Sequence, residues 1–246
     1  MKENPHTFIL GCTSLQDYIA YTQQKLGTNY PVRLLPRIYH RDPAEMREHV
    51  LRALTELPPD TETVLVAMGF CGGSWDRVQA PCRLVMPRID DCISLLLTTT
   101  DQAVFDRKEP GHLYVKDKNP GKTSFRKIFA AMTTDKDEET KARYHRDWQR
   151  YYHEIDIIET EINDSRRPEY AAEVKADADW LEAEMAYVPG GTHLLEKLLT
   201  GQWDEQFLVL EAGQPVVKQA LETAGEQTPV TGDGQEHKAA GEQTPV

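Results

Sequence analysis

Cysteine is the residue type in this chain best suited to metal or nucleophilic chemistry, and the four cysteines, Cys12, Cys71, Cys82 and Cys92, all fall in the first 92 residues. Three of them stand at the ends of predicted elements. Cys12 follows the apolar run 8–11, Cys71 follows the run 63–68, and Cys92 opens a helix just after the strand 83–86. In an open parallel sheet, ligands gather at the carboxyl ends of the strands. If these strands are neighbours, the three thiols converge on one edge of the sheet. Convergent thiolates are soft ligands for an iron–sulfur cluster or a thiophilic metal such as zinc, cobalt or iron. The helix N-terminus favours the thiolate at Cys92. The alternative is that the cysteines fill apolar space, as buried cysteines commonly do. No CxxC pair occurs, which excludes a local zinc-ribbon or thioredoxin-like motif, and Cys82, beside Pro81, is expected to be structural.

The neighbours of these cysteines extend the candidate site. Gly69, Gly72 and Gly73 surround Cys71, and glycine frees a backbone to turn tightly against a ligand. Gly72 and Gly73 are therefore the candidate cofactor-binding residues. Arg88 and Asp91 are the candidate catalytic pair, a cation for an anionic substrate and a carboxylate to take a proton. A helix cap with its salt bridge is the equal alternative for Asp90-Asp91. Nucleophilic chemistry at Cys71 needs a base that the sequence does not identify. Gly121-Lys122-Thr123 fails as a phosphate loop, because Lys116 stands where the first glycine is required. Gly69 to Gly73 lacks the dinucleotide fingerprint, and no histidine pair has HxxxH spacing.

These residues need a scaffold, and the apolar runs supply one. Strands are predicted at 8–11, 32–38, 63–68 and 83–86, with Pro36 making the second weak or an edge. Between them, Ser14 is placed to cap a helix over 15–26 that ends at Gly27. Asp42-Pro43 begins another that runs to about 57. The stretch 110–150 is less regular, with a short strand at 112–115 and a charged helix over 137–151 whose Tyr144, Trp148 and Tyr151 form a stripe expected to pack in the core. Strands at 155–158, 185–188 and 207–210 and helices at 168–183 and 193–199 follow. Strand and helix in alternation imply an α/β, Rossmann-like fold: a mainly parallel sheet with helices on both faces over residues 1–215, in one lobe or in two (1–110 and 111–215).

With 28 Lys plus Arg against 40 Asp plus Glu, the net charge of -12 argues against nucleic acid as a partner. The longest apolar runs are far below the roughly 20 residues that cross a bilayer, and residues 1–6 lack signal-peptide character, so a cytoplasmic protein is expected. Residues 216–246 carry AGEQTPV twice, at 224–230 and 240–246. With so few large apolar residues, this segment is expected to be a disordered tail.

The runs VLVAMGFCGGSW, LVMPRIDDCISLLL and LLEKLLTGQWDEQFLVL, in that order, resemble the uncharacterised family called domain of unknown function 1638. Its members resemble this chain in an early strand ending in Cys (Cys12), a Cys-Gly turn (Cys71-Gly72-Gly73), a Pro-Arg-x-x-Asp-Cys helix start (Pro87 to Cys92) and a Gly-x-Trp-Asp stretch (Gly201 to Asp204). Many carry His where this chain has Asp90 and Asn where it has Gly73. The departures put an imidazole at the first position and an amide at the second in doubt. Genes of the family often lie near corrinoid-dependent methyltransferases. The resemblance thus implies a role in or beside methylamine and related C1 metabolism, with a corrinoid protein or methyltransferase as partner and a small molecule as ligand. The competing reading is a non-catalytic accessory that binds such a partner, with its cysteines merely packed.

Overall fold

The computed structural model describes residues 6–122 and 124–223 of the 246, so the repeated AGEQTPV segments lie outside the described residues. Strands β1 (Thr7–Cys12) and β3 (Thr63–Ala67) are buried at every position. A strand can be apolar on both sides only when both faces are covered. Here Val64 and Val66 turn to one core with Met46, Val50 and Leu54. Leu65 and Ala67 turn to another, with Ile19, Leu95 and Leu198.

Strands β1, β2 (Val32–Leu35), β3, β4 (Arg83–Pro87) and β8 (Phe207–Leu210) form one five-stranded sheet in the order β2-β1-β3-β4-β8. The first four are parallel, with Leu10 opposite Val66 and Leu65 opposite Val85. β1, β3 and β4 are thus neighbours, as convergence of the thiols requires. β2 stops at Leu35, because Pro36 turns the chain into a 3-10 turn over Arg37–Arg41 in place of the predicted strand to residue 38. β8 runs antiparallel to β4, with Met86 opposite Leu208. This departs from the purely parallel pattern in a way common at the edges of such sheets.

A second sheet, all parallel, takes β5 (His112–Val115), β6 (Glu154–Glu159) and β7 (Glu184–Pro189) in sequence order. Ile155 and Ile157 pack under α6 (Pro168–Leu181) with Tyr170, Val174 and Leu181. Ile158, on the opposite face, joins the core that also holds Leu65 and Leu95, so the two sheets share apolar packing.

Helix α1 (Gln16–Leu26) ends at Gly27, whose φ of 68° supplies the left-handed cap. Helix α2 (Pro43–Thr55) starts as predicted, with Asp42 Oδ1 accepting from the N–H groups of Ala44 at 2.9 Å and Glu45 at 3.3 Å. Asp42→Ala is expected to lower stability by about 1 kcal/mol, read as a shifted midpoint in denaturant unfolding.

Helix α3 (Cys92–Leu97) follows β4. Helix α4 (Phe125–Met132) is a departure from the sequence reading. Its start is held across the fold by buried Asp177 of α6, which accepts from Ser124 Oγ, Phe125 N and Arg126 Nε, each at 2.7 Å. In helix α5 (Glu138–Tyr151) the expected core stripe does not hold. Trp148 packs against Phe129, Trp180 and Tyr152, whereas Tyr144 and Tyr151 are 37% and 59% exposed. Helix α7 (His193–Thr200) covers the shared core, and α8 (Lys218–Glu222), within the segment expected to be a disordered tail, buries Leu221 in the core that also holds Val216, Trp75 and Met86. No helix among the described residues is long and apolar enough to cross a membrane.

Candidate functional site

The carboxyl ends of β1, β3 and β4 bring Cys12, Cys71 and Cys92 to one end of the first sheet. Cys12 is fully buried, with its sulfur 3.2 Å from His40 Nε2. Ser14 joins two of the thiols: its N–H donates to Cys12 Sγ at 3.4 Å and its hydroxyl to Cys92 Sγ at 3.0 Å. Ser14 was expected to cap α1, but its hydroxyl is spent on Cys92. Leu15 stands at the cap position and makes no side-chain cap bond.

Burial pushes all three thiols up from their usual range. For Cys71 the rise is large, and the neighbouring Cys92, Asp91 and Cys12 reinforce it. For Cys12 and Cys92 the nearby Lys116 partly opposes the burial. The expected thiolate-promoting effect at the start of α3 is therefore outweighed by desolvation. Burial also pulls His40 down. Both shifts favour the neutral thiol and the neutral imidazole over an ion pair between Cys12 and His40. His40 supplies the base missing from the nucleophile reading, but it serves the enclosed Cys12 and not Cys71.

The turn after β3 is tightly constrained. Cys71 (φ 50°), Gly72 (φ 66°) and Gly73 (φ 101°) are consecutive left-handed residues, and such a conformation at a non-glycine residue stores strain that concentrates at functional sites. A Cβ on Gly72 would come within 3.2 Å of Pro43 Cγ at the start of α2. Gly73 N–H donates to the Phe70 carbonyl at 3.3 Å, so that donor is used within the turn.

Asp91 Oδ1 accepts from Ile93 N at 3.0 Å and Ser94 N at 2.9 Å, which makes it the cap of α3. Its other oxygen lies 3.0 Å from Lys108 Nζ. Lys108 also meets Asp90 and Asp106, and although burial lowers its pKa, the hydrogen bonds to Asp106 and Asp90 more than reverse this. Arg88 is buried, and its donors are taken up by main-chain carbonyls, Nε by that of Phe207 at 3.1 Å and a terminal nitrogen by that of Thr223 at 3.3 Å. It ties residue 223 to the β8 and β4 neighbourhood, and the cation whose field reaches Cys12 and Cys92 is Lys116 in its place.

Lys116 and His40 were not singled out in the sequence. Lys116 follows β5, and its Nζ donates to the Ser14 carbonyl at 2.6 Å, so the loops after β1 and β5 meet over the thiols. The strand-end rule that selects the cysteines applies equally to Lys116, which directly follows the short strand predicted at 112–115. His40 arrives by the 3-10 turn behind Pro36, which no motif marks. Cys82 lies elsewhere, half-buried in an apolar groove of about 960 Å³ lined also by Leu54, Pro58, Ala80 and Ala212.

The donor set is soft but not drawn tight around a point. Among the described residues, the one group of three or more His, Cys, Asp or Glu ligand atoms within 4.8 Å of one another is His112, Glu154 and Asp156, and not the cysteines. A single tetrahedral ion bound at about 2.3 Å from each sulfur would place the sulfurs about 3.8 Å apart. The thiols as arranged are spread more widely than such an ion requires.

No curated protein matches the chain, and no solved structure matches it. A family model described as protein of unknown function (DUF1638) matches residues 34–199, a span that contains Cys71, Cys92, His40 and Lys116 and begins after Cys12. With two thirds of its residues in that match, the chain belongs to the DUF1638 family.

Proposed function

We propose that Cys12, Cys71 and Cys92 bind an iron–sulfur cluster or a thiophilic metal, and that this centre serves corrinoid-dependent C1 chemistry. The observation that carries the reading is the meeting of three thiols from three adjacent strand ends, beside a left-handed Cys71. A polynuclear cluster fits their spread better than one tetrahedral ion does, because its thiolates attach to different metal atoms. The centre would supply soft-metal or electron-transfer chemistry. The chain's own residues would shape its surroundings: Ser14 holds Cys92 in place, Lys116 offsets thiolate charge, and Asp91 fixes the helix from which Cys92 projects.

Elemental analysis with an ultraviolet–visible spectrum, on protein purified without oxygen, tests this reading. The expected result is near-stoichiometric metal, accompanied for iron by a broad charge-transfer absorption, and its loss in Cys71→Ser and Cys92→Ser proteins. Colourless, metal-free parent protein, or variants with unchanged metal content, would overturn it. The burial that favours the protonated thiol, and a spread wider than a single ion needs, favour the second reading, an accessory protein with packed cysteines. In that case capture of a corrinoid protein or methyltransferase survives alanine at all three cysteines.

A further inference from the structure

A second cluster lies on the other sheet, away from the thiols. His112 opens β5 opposite Glu154 of β6, and Asp156 lies two residues further along β6, so alternation places all three on one face. His112 Nδ1 is 2.8 Å from Asp156 Oδ2, and His112 Nε2 is 3.7 Å from Glu154 Oε2. Asp156 is 2% exposed, and its second oxygen, Oδ1, is buried without a hydrogen-bond partner.

We propose that His112, Glu154 and Asp156 form a binding site for a first-row divalent cation of the zinc class. The carboxylate of Asp156 on Nδ1 sets the ring orientation and leaves Nε2 as the ligand atom, the arrangement that metal-bound histidines usually adopt. An ion about 2.1 Å from both Nε2 and the Glu154 oxygen would see them at an angle of roughly 120°, within reach of tetrahedral geometry. With Asp156 on Nδ1, its orphaned Oδ1 lies too far from an ion on Nε2 to ligate it and is left as an acceptor for a water bound to that ion. A plain ion pair between His112 and Asp156 leaves that oxygen unexplained, since buried acceptors are rarely left without a partner. His153, with its ring edge-on to His112 at a centroid distance of 5.2 Å, adds a second imidazole beside the cluster. The site uses none of the cysteine cluster's residues and stands whether or not that cluster holds a metal.

Titration of the full chain with Co2+ and Zn2+ tests it. Nitrogen and oxygen ligands give Co2+ visible d–d bands without sulfur-to-cobalt charge transfer, so this site and a thiolate site are read separately in one sample. The expected result is one equivalent of Co2+ with the sulfur-free spectrum, displaced by Zn2+. Binding should weaken at least tenfold in His112→Ala and in Glu154→Gln, with any sulfur-derived band unchanged. Glu154 is partly exposed, so its variant keeps the test informative if His112→Ala fails to fold. Absence of the sulfur-free signal in the parent, or variants that titrate like the parent, would overturn the proposal.

Discussion

Gly69→Ala is expected to destabilise the protein by about 3 kcal/mol, at the upper end of the range for overpacking a well-packed interior. The reason is a backbone approach that leaves no room for one methyl group. A Cβ at residue 69 would lie 2.5 Å from Asp91 Cα and 2.6 Å from both the Asp90 carbonyl oxygen and Asp91 N. A flexible side chain could swing aside, but these are main-chain atoms pinned on both flanks. Phe70 N donates to the Ile89 carbonyl at 3.1 Å and Cys71 N to the Asp90 carbonyl at 2.7 Å. Relief requires moving residues 90 and 91, and with them the cap of α3 and Cys92. The same substitution should therefore disturb the thiol cluster as well as the fold. Gly191→Ala is the control, because its Cβ would meet nothing within 4 Å, and it should change stability by less than about 0.5 kcal/mol. Denaturant unfolding of the two variants checks both statements. A neutral Gly69→Ala would show that the 90–91 segment yields easily and that the site is not rigidly held.

Gly69 also illustrates which parts of the site can be read from a sequence. A glycine beside Cys71 announces a constrained turn, but its partner, the backbone of Asp90 and Asp91, lies on a different strand end and leaves no mark near residue 69. The strand ends bearing Cys12, Cys71 and Cys92 were legible because a doubly covered parallel strand must be apolar throughout, and the residue that follows such a run must lie at its end. Asp42-Pro43 was legible because a cap is made within three residues. By contrast, Arg88 reads as an anion binder until the Phe207 and Thr223 carbonyls, more than a hundred residues away, are seen to occupy it. Helix α4 depends in the same way on Asp177, a cap supplied by another helix. His112 and Glu154 have no metal-ligand spacing along the chain, and only the pairing of β5 with β6 sets them side by side. Local signals fixed by sterics and capping survive in the sequence, whereas assignments that turn on a distant partner do not.

Raising the pH from about 8.5 to 10 is expected to destabilise the metal-free protein steeply, by up to roughly 4 kcal/mol per pH unit. In the unfolded chain the cysteines lose their protons near their ordinary pKa, about 8.5. In the folded protein burial holds Cys12, Cys71 and Cys92 protonated to higher pH. Across that window the folded state binds more protons than the unfolded state, so its advantage is full at neutral pH and shrinks as pH rises. Each thiol contributes at most about 1.4 kcal/mol per pH unit, and three acting together give the stated slope. Tyr18, which burial pushes up to about 12, adds its own loss only above pH 10, where free tyrosine ionises. Denaturant midpoints measured at pH 7.5, 8.5, 9.5 and 10 check the slope, and Cys71→Ala should flatten it more than Cys12→Ala or Cys92→Ala, because the rise is largest at Cys71. A bound metal reverses the linkage, because ligating thiols have already given up their protons. Protein loaded through these cysteines should hold its stability nearly level across the same window, at least until pH 10. A steep fall in the metal-free form that disappears on loading would tie the metal to these three sulfurs, and a fall of equal slope in both forms would separate it from them.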